Sequence, residues 1–246
     1  MGIGDWIMAT ADAKAVHEKH GVRVVFGDGH KMHWSEVFEG NPIIAKQLRQ
    51  NETFAWVPNY PMHRPYIVEI TNQRYIFRKE FRATPGQLYP KNPQKGGYVM
   101  IEPNVKPDFW IGKNKDWGLR NWVALSKRLD AELLQCGTNN RPKLKRARFR
   151  ETKTFMEAVD YLAGAKLLIT TDGALHHAAA AMGIPAVVLW GGMASPENLG
   201  YAGHSNIWHG DEPCGTHSTP CQHCKNAMSK ITVEQVLEDC KRHLVA

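Results

Sequence analysis

Lys166-Leu-Leu-Ile-Thr-Thr-Asp-Gly-Ala-Leu-His-His177 runs directly into Ala178-Ala-Ala-Ala-Met-Gly-Ile-Pro-Ala-Val-Val-Leu-Trp-Gly-Gly192. The stretch reads as strand, turn, helix and strand. Lys166–Thr170 and Ala186–Trp190 carry short apolar runs without polar alternation, as expected of strands covered on both faces of a parallel sheet. Between the first strand and the Ala-rich helix stand small polar residues and Gly173. A helix that starts there turns its unpaired N–H groups and the positive end of its dipole outward, a ready site for an anion such as phosphate. Gly173 lets a ligand approach the backbone, Thr171 adds a hydroxyl donor, and His176 falls in the first helical turn. Read alone, Asp172 is equally an N-cap and the His pair a solvated turn.

The same pattern extends outward. Tyr98–Ile101 and Leu133–Cys136 are further short apolar runs. Between the runs, Leu119, Trp122, Leu125 and Leu129 share one helical face, as do Phe155, Val159 and Leu162. Thr154 with Glu157, and Thr232 with Gln235, have the spacing of a helix-starting box. Residues 94–246 are therefore expected to form a doubly wound, Rossmann-like α/β domain. Upstream, Asp5–His20 reads as a helix closed by Gly21, Val22–Phe26 as a strand, and Asn41–Gln50 as a second helix. Prolines 58, 61, 65, 85, 90 and 93 then predict loops, edge strands and a linker near Pro90–Gly97, with residues 1–93 as a smaller first domain.

Composition narrows the partners. The 246 residues carry 31 Lys and Arg against 24 Asp and Glu, a formal charge of +7, which favours an anionic partner. Ala178–Ala194, the longest uncharged apolar stretch, is shorter than the about 20 residues a spanning helix needs and is broken by Gly183 and Pro185. The N-terminus has no apolar h-region, and five Cys fit a reducing compartment, so the expected location is cytoplasmic. The basic run Arg141–Arg150 has only Phe149 as an aromatic. It predicts a solvated loop facing an anionic acceptor or membrane surface, not nucleic acid. Cys214, Cys221 and Cys224, with His217 and His223, offer ligands for a structural zinc, but the Cys-x6-Cys-x2-Cys spacing matches no common finger, and a reduced thiol loop is the favoured reading. No Asp-x-Asp pair is present to hold a metal-bound nucleotide sugar.

The stretch Ala178–Gly192, continued by Ser195-Pro196-Glu197 and Gly200-Tyr201, resembles the C-terminal donor-binding motif of the heptosyltransferase-like glycosyltransferases, glycosyltransferase family 9. Gly2-Ile3-Gly4-Asp5 resembles that family's N-terminal Gly-x-Gly-Asp loop, and Lys115-Asp116-Trp117 its Lys-x-Trp segment. Pro213-Cys214-Gly215, Cys221, Cys224 and the final helix resemble the tails of some members. The resemblance implies a GT-B architecture of two Rossmann-like domains flanking a cleft. It also implies a metal-independent inverting transfer, without a cofactor, from a nucleoside-diphosphate sugar to a glycan or glycolipid. Asp5 would be the base, with Gly4, Lys115, Thr171, Asp172, Gly173, His176 and Glu197 binding the donor. Three departures stand out. Met1 immediately precedes the Gly-x-Gly-Asp loop where the family has a strand, so the expectation is that either the chain begins at an internal start, with upstream residues completing the first sheet, or that sheet is rearranged and lacks its leading strand. Thr171 precedes Asp172, whereas many members carry Asp and then Thr or Ser. The first domain is also short. An epimerase or hydrolase on the same plan, and a non-catalytic nucleotide-sugar-binding protein, are the alternative readings.

Overall fold

The chain is described by a computed structural model over residues 2–58, 64–105 and 110–245. Helix α1 (Ile3–His20) leads into strands β1 (Arg23–Phe26), β2 (Phe54–Val57), β3 (Ile67–Thr71) and β4 (Arg74–Phe77). The larger half follows as β5 (Tyr98–Glu102), α2 (Trp110–Lys113), α3 (Leu119–Arg128), β6 (Leu133–Gly137), β7 (Arg148–Glu151), α4 (Phe155–Leu162), β8 (Ala165–Thr171), α5 (Ala174–Ala181) and β9 (Ala186–Trp190). It closes with α6 (Pro196–Leu199), β10 (His204–Trp208), α7 (Gln222–Ser229) and α8 (Val233–Val245).

Strands β5 to β10 form one parallel sheet in the order β10-β9-β8-β5-β6-β7. Side chains alternate between its two faces as the pleat requires. Val99, Ile101, Leu167, Ile169, Val187 and Leu189 join the core that includes Trp122, Leu125, Val236 and Leu237. Tyr98, Met100, Leu168, Val188 and Trp190 join the opposite core, with Val159 and Ala178. The helix starts follow the expected spacing, since Thr154 Oγ1 accepts the Glu157 N–H at 3.2 Å and Thr232 Oγ1 the Gln235 N–H at 3.2 Å. Leu119, placed on the buried face by its spacing, is instead 46% exposed at the first position of α3.

From β5 the chain builds outward through β6 and β7, then returns to lay β8 on the other side of β5. The direction of winding thus reverses between β5 and β8. In an open α/β sheet this switch point leaves a crevice at the carboxyl ends of the two strands, where ligands bind.

The first half is simpler. Strands β1 and β2 make a two-stranded parallel sheet, beside which Ile44 bridges Val24. The helix expected over Asn41–Gln50 does not form. Asn41 Oδ1 accepts the Ile43 N–H at 3.1 Å, and this side-chain turn, together with Pro42, leaves an extended segment at Ile44. Strands β3 and β4 form an antiparallel hairpin that turns on Asn72 and Gln73, both at positive φ. Pro61 lies outside the described residues. The stretch expected as a linker, Pro90–Gly97, is extended but tied down: the N–H groups of Asn92 and Gln94 donate to Asp160, and that of Gly97 to the Gly164 carbonyl. Among the described residues no helix is long and apolar enough to cross a membrane.

Helix α1 packs against α5, so Trp6, Ile7, Phe26 and Phe38 belong to the same apolar cluster as Met100 and Val188. The approach is closest at Gly4, where a Cβ would stand 2.7 Å from His177 Cδ2 and 3.5 Å from Ala174 Cα. The His177 ring is buried and held by Tyr201, with Nδ1 2.7 Å from its hydroxyl, so it has little room to yield. Gly4→Ala should therefore destabilise the fold by about 1 to 3 kcal/mol through overpacking, despite the better helix propensity of Ala. Urea denaturation showing equal or greater stability would contradict this packing.

Candidate active site

A cleft of about 1070 Å³ opens at the switch point. One wall is the start of α1 with Arg64, Tyr66 and the hairpin residues Tyr75 and Phe77; the other is built from the carboxyl ends of β5, β6 and β8 and the start of α5. Gly4, Asp5, Lys115, Thr171, Asp172, Gly173 and His176 all line it. Glu197 does not. It is exposed at the start of α6, its N–H capped by Ser195 Oγ at 3.0 Å and its carboxylate 3.1 Å from Arg82.

Asp5 both caps α1 and faces the cleft. Its Oδ2 accepts the Gly2 N–H at 2.8 Å and lies 3.2 Å from Arg64 Nε, while Oδ1 accepts the Tyr66 hydroxyl. Burial, the largest influence, would lower the Arg64 pKa, but the Asp5 carboxylate, Tyr66 and Tyr75 together outweigh it and the guanidinium is held charged. Burial and the Asp5 charge together push the Tyr66 phenol well above its ordinary value, so it remains a proton donor to Asp5.

Lys115 is placed by its neighbours. Trp117 is buried and donates its indole N–H to the Ile231 carbonyl at 2.9 Å, which fixes the chain two residues after the lysine. The ammonium meets Asp172 twice, at Oδ2 (2.5 Å) and at the backbone carbonyl (3.1 Å). Asp172 Oδ1 is buried with no hydrogen-bond donor. An ammonium has three donors, so one direction of Lys115 remains for a ligand.

The histidines differ from the sequence expectation. The Gly173 N–H donates to His176 Nδ1 at 2.9 Å, and His176 Nε2 lies 3.2 Å from the Leu199 carbonyl, so the proton sits on Nε2. Both ring nitrogens are thus committed within the protein, and burial holds the His176 pKa down at about 3. His177 is likewise driven well below its ordinary value by burial. The amides left to greet an anion are those of Ala174 and Leu175, in the first turn of α5.

Arg64, Tyr66 and Glu102 complete the lining without having been singled out by the sequence reading. The first two lie among the prolines, where no periodicity marks them. Glu102 carried a signal that could have been used, a carboxylate closing the apolar run Tyr98–Ile101. It ends β5 opposite Thr170 of β8 and accepts the Asn104 N–H at 2.8 Å. Burial pushes its pKa up to about 8, against the pull of Asn104 and Arg141.

Away from the cleft lining, Cys214, Cys221, His223 and Cys224 bring one ligand atom each within 4.8 Å of one another. His217, the other histidine of this region, stacks on Tyr75 with ring centroids 4.0 Å apart.

The family model described as glycosyltransferase family 9 (heptosyltransferase) matches residues 78–231, more than half of the 246 residues. The chain belongs to glycosyltransferase family 9. Among solved structures, the family 9 glycosyl transferase from Veillonella parvula is 13% identical, with 100% of this chain and 95% of that one covered and a TM-score of 0.63. The iron-containing dodecameric glycosyltransferase TibC from enterotoxigenic E. coli is 18% identical, over 99% of this chain and 73% of that one, with a TM-score of 0.69. TibC in complex with ADP-D-beta-D-heptose matches over 66% of this chain and 49% of that one, at 19% identity and a TM-score of 0.52. These likenesses carry the fold alone, the Rossmann-like α/β architecture with its mostly parallel six-stranded sheet. The chain spans about half the length of the first two heptosyltransferase structures it matches. No curated protein sequence matches it.

Half-buried Glu102 and buried His176 make stability depend on pH in two directions. Unfolded Glu102 ionises near its ordinary value of 4.5 and folded Glu102 only near 8, so between these the folded state binds the extra proton and stability falls as pH rises. Glu102→Gln should flatten this alkaline limb in melting experiments from pH 5 to 8. His176 acts oppositely, because below pH 6.5 only the unfolded ring gains a proton, and stability is lost as pH falls toward 3. An unchanged alkaline limb in Glu102→Gln would show that the carboxyl titrates normally.

Proposed function

We propose that the chain transfers a sugar from a nucleoside-diphosphate sugar to a hydroxyl acceptor, with inversion at the anomeric carbon. The observation that carries this reading is the meeting in one cleft of the Asp5 carboxylate with Lys115 and the start of α5. Gly4, the neighbour of Asp5, packs on Ala174, the first residue of that helix. A base and an anion site therefore stand side by side, as a single displacement requires.

The donor diphosphate is assigned to Lys115, the Thr171 hydroxyl and the amides of Ala174 and Leu175, where cationic and backbone donors stabilise the departing charge. Asp5 takes the proton of the acceptor hydroxyl as its oxygen bonds to the anomeric carbon and the bond to the diphosphate breaks. With the leaving-group charge carried by these groups, no metal is assigned to the step. TibC, solved with ADP-D-beta-D-heptose, supports an ADP-heptose-type donor, of heptosyl or hexosyl character. The acceptor is assigned to a glycan or glycolipid of anionic character, since Arg141 lines the cleft and Lys145 and Arg146, a few residues along the chain, are exposed.

Incubation with a panel of nucleoside-diphosphate sugars, with and without acceptor extracts and without added divalent ions, tests this directly. Donor conversion without acceptor, or binding alone, would overturn transfer, and a strict need for magnesium or manganese would overturn the metal-free step. Lys115→Ala should weaken nucleoside-diphosphate binding ten-fold or more in calorimetry, the loss of one charge-assisted hydrogen bond of about 1.5 to 3 kcal/mol. Asp5→Asn keeps the size and one hydrogen bond but cannot accept the proton, so turnover should fall by about 10² to 10⁴ at unchanged donor affinity. Turnover within a few-fold of the parent would leave Asp5 as a helix cap and partner of Arg64.

A further inference from the structure

We propose that Cys214, Cys221, Cys224 and His223 hold one tetrahedral transition-metal ion, zinc or iron, and that this ion fastens the 214–224 segment beneath both walls of the cleft. Cys214 Sγ lies 3.6 Å from Cys221 Sγ and 3.5 Å from Cys224 Sγ. Two thiolates on a tetrahedral ion, with metal–sulfur bonds of 2.3 Å, stand about 3.8 Å apart, close to what is seen. All five cysteines are free thiols. The fourth position is pointed out by His223, whose Nδ1 is buried and has no hydrogen-bond partner. Gly192 makes room for this ring, because a Cβ there would stand 2.3 Å from the same nitrogen. Cys221 is also the N-cap of α7 and Cys224 lies in its first turn, so one helix start presents two of the sulfurs and the His223 ring between them. Three sulfurs and one imidazole nitrogen suit zinc or iron and leave no open coordination position, and none of the four residues lines the cleft. The ion is therefore structural.

Two sets of contacts tie the segment to the cleft. Toward Lys115, buried Asn114 accepts the Cys221 N–H at 3.1 Å and donates to the Thr219 carbonyl at 2.9 Å. Toward Asp5, Thr216 bridges Arg74, the Tyr75 N–H donates to the Gly215 carbonyl at 2.9 Å, and His217 stacks on Tyr75. Tyr75 in turn receives Arg64 Nη1 at 3.0 Å, and Arg64 pairs with Asp5. The basic residue of each wall is thus one residue or one side chain removed from the loop that the ion would hold.

The as-purified protein should contain close to one equivalent of zinc or iron by elemental mass spectrometry. Exchange with cobalt(II) should give thiolate-to-cobalt charge-transfer absorption together with tetrahedral ligand-field bands. Chelation should lower the melting temperature and speed amide hydrogen exchange at residues 114–116 and 73–75, both reversed by adding zinc. Cys221→Ser and His223→Ala should each lower the metal content. If a variant does not fold, the cobalt spectrum and the reversible chelation of the parent chain still decide. Absence of bound metal with no cobalt charge-transfer band, or a disulfide among these cysteines in the native protein, overturns the site. Bound metal whose removal leaves exchange at both segments unchanged overturns the fastening role. None of these readings uses donor or acceptor, so their outcome is independent of the proposed transfer.

Discussion

The approach of α1 to α5 at Gly4 is the constraint on which the rest depends. A helix carrying a side chain at that position would ride higher over His177 and Ala174, and Asp5, one residue on, would withdraw from the start of α5. The contact joins two apolar cores that the sequence alone would separate. It also stacks two helix N-termini near one another, each needing an acceptor for its unpaired amides. Asp5 answers the first by capping Gly2, and His176 answers the second by capping Gly173. What remains open toward the cleft is set by these two caps.

Charge in the cleft is arranged as two pre-formed pairs, Asp5 with Arg64 and Asp172 with Lys115, flanked by histidines kept neutral by burial. Neither basic group waits as an isolated cation, which would be costly to bury. An arriving anion shares a cation that is already oriented, so little side-chain entropy is lost on binding. The two carboxylates are correspondingly unequal. Asp5 is surrounded by donors, whereas Asp172 keeps one buried oxygen without any.

The four central strands were legible because each is covered on both faces and so reads as a short apolar run. Edge strands β7 and β10 were not. Arg-Phe-Arg-Glu at 148–151 and His-Ser-Asn-Ile-Trp at 204–208 lie at the two rims of the sheet, where one side of the ladder faces away from any partner and polar residues are tolerated. The cleft was legible where backbone and chemistry coincide, at Thr171–Gly173 and at the lysine held by Trp117. It was illegible where a residue is recruited across the chain. Arg64 and Tyr66 meet Asp5 from some sixty positions away, and nothing local distinguishes them from loop residues between prolines. His176 shows the reverse error. A histidine in the first helical turn suggested a ligand contact, yet an unpaired amide three residues back and a carbonyl from α6 took both of its nitrogens.

The shared family segment begins at residue 78, where the side chain of Asn198 takes hold of the chain. Its amide donates to the carbonyls of Arg78 and Phe81, and the backbone carbonyl of Asn198 accepts the Ala83 N–H. The other boundary, Ile231, is gripped by the Trp117 indole. The segment is therefore held near both of its ends by buried side chains from its own interior, in addition to its packing against α1. Fraying from either end has to break hydrogen bonds of a buried side chain before it can reach the sheet.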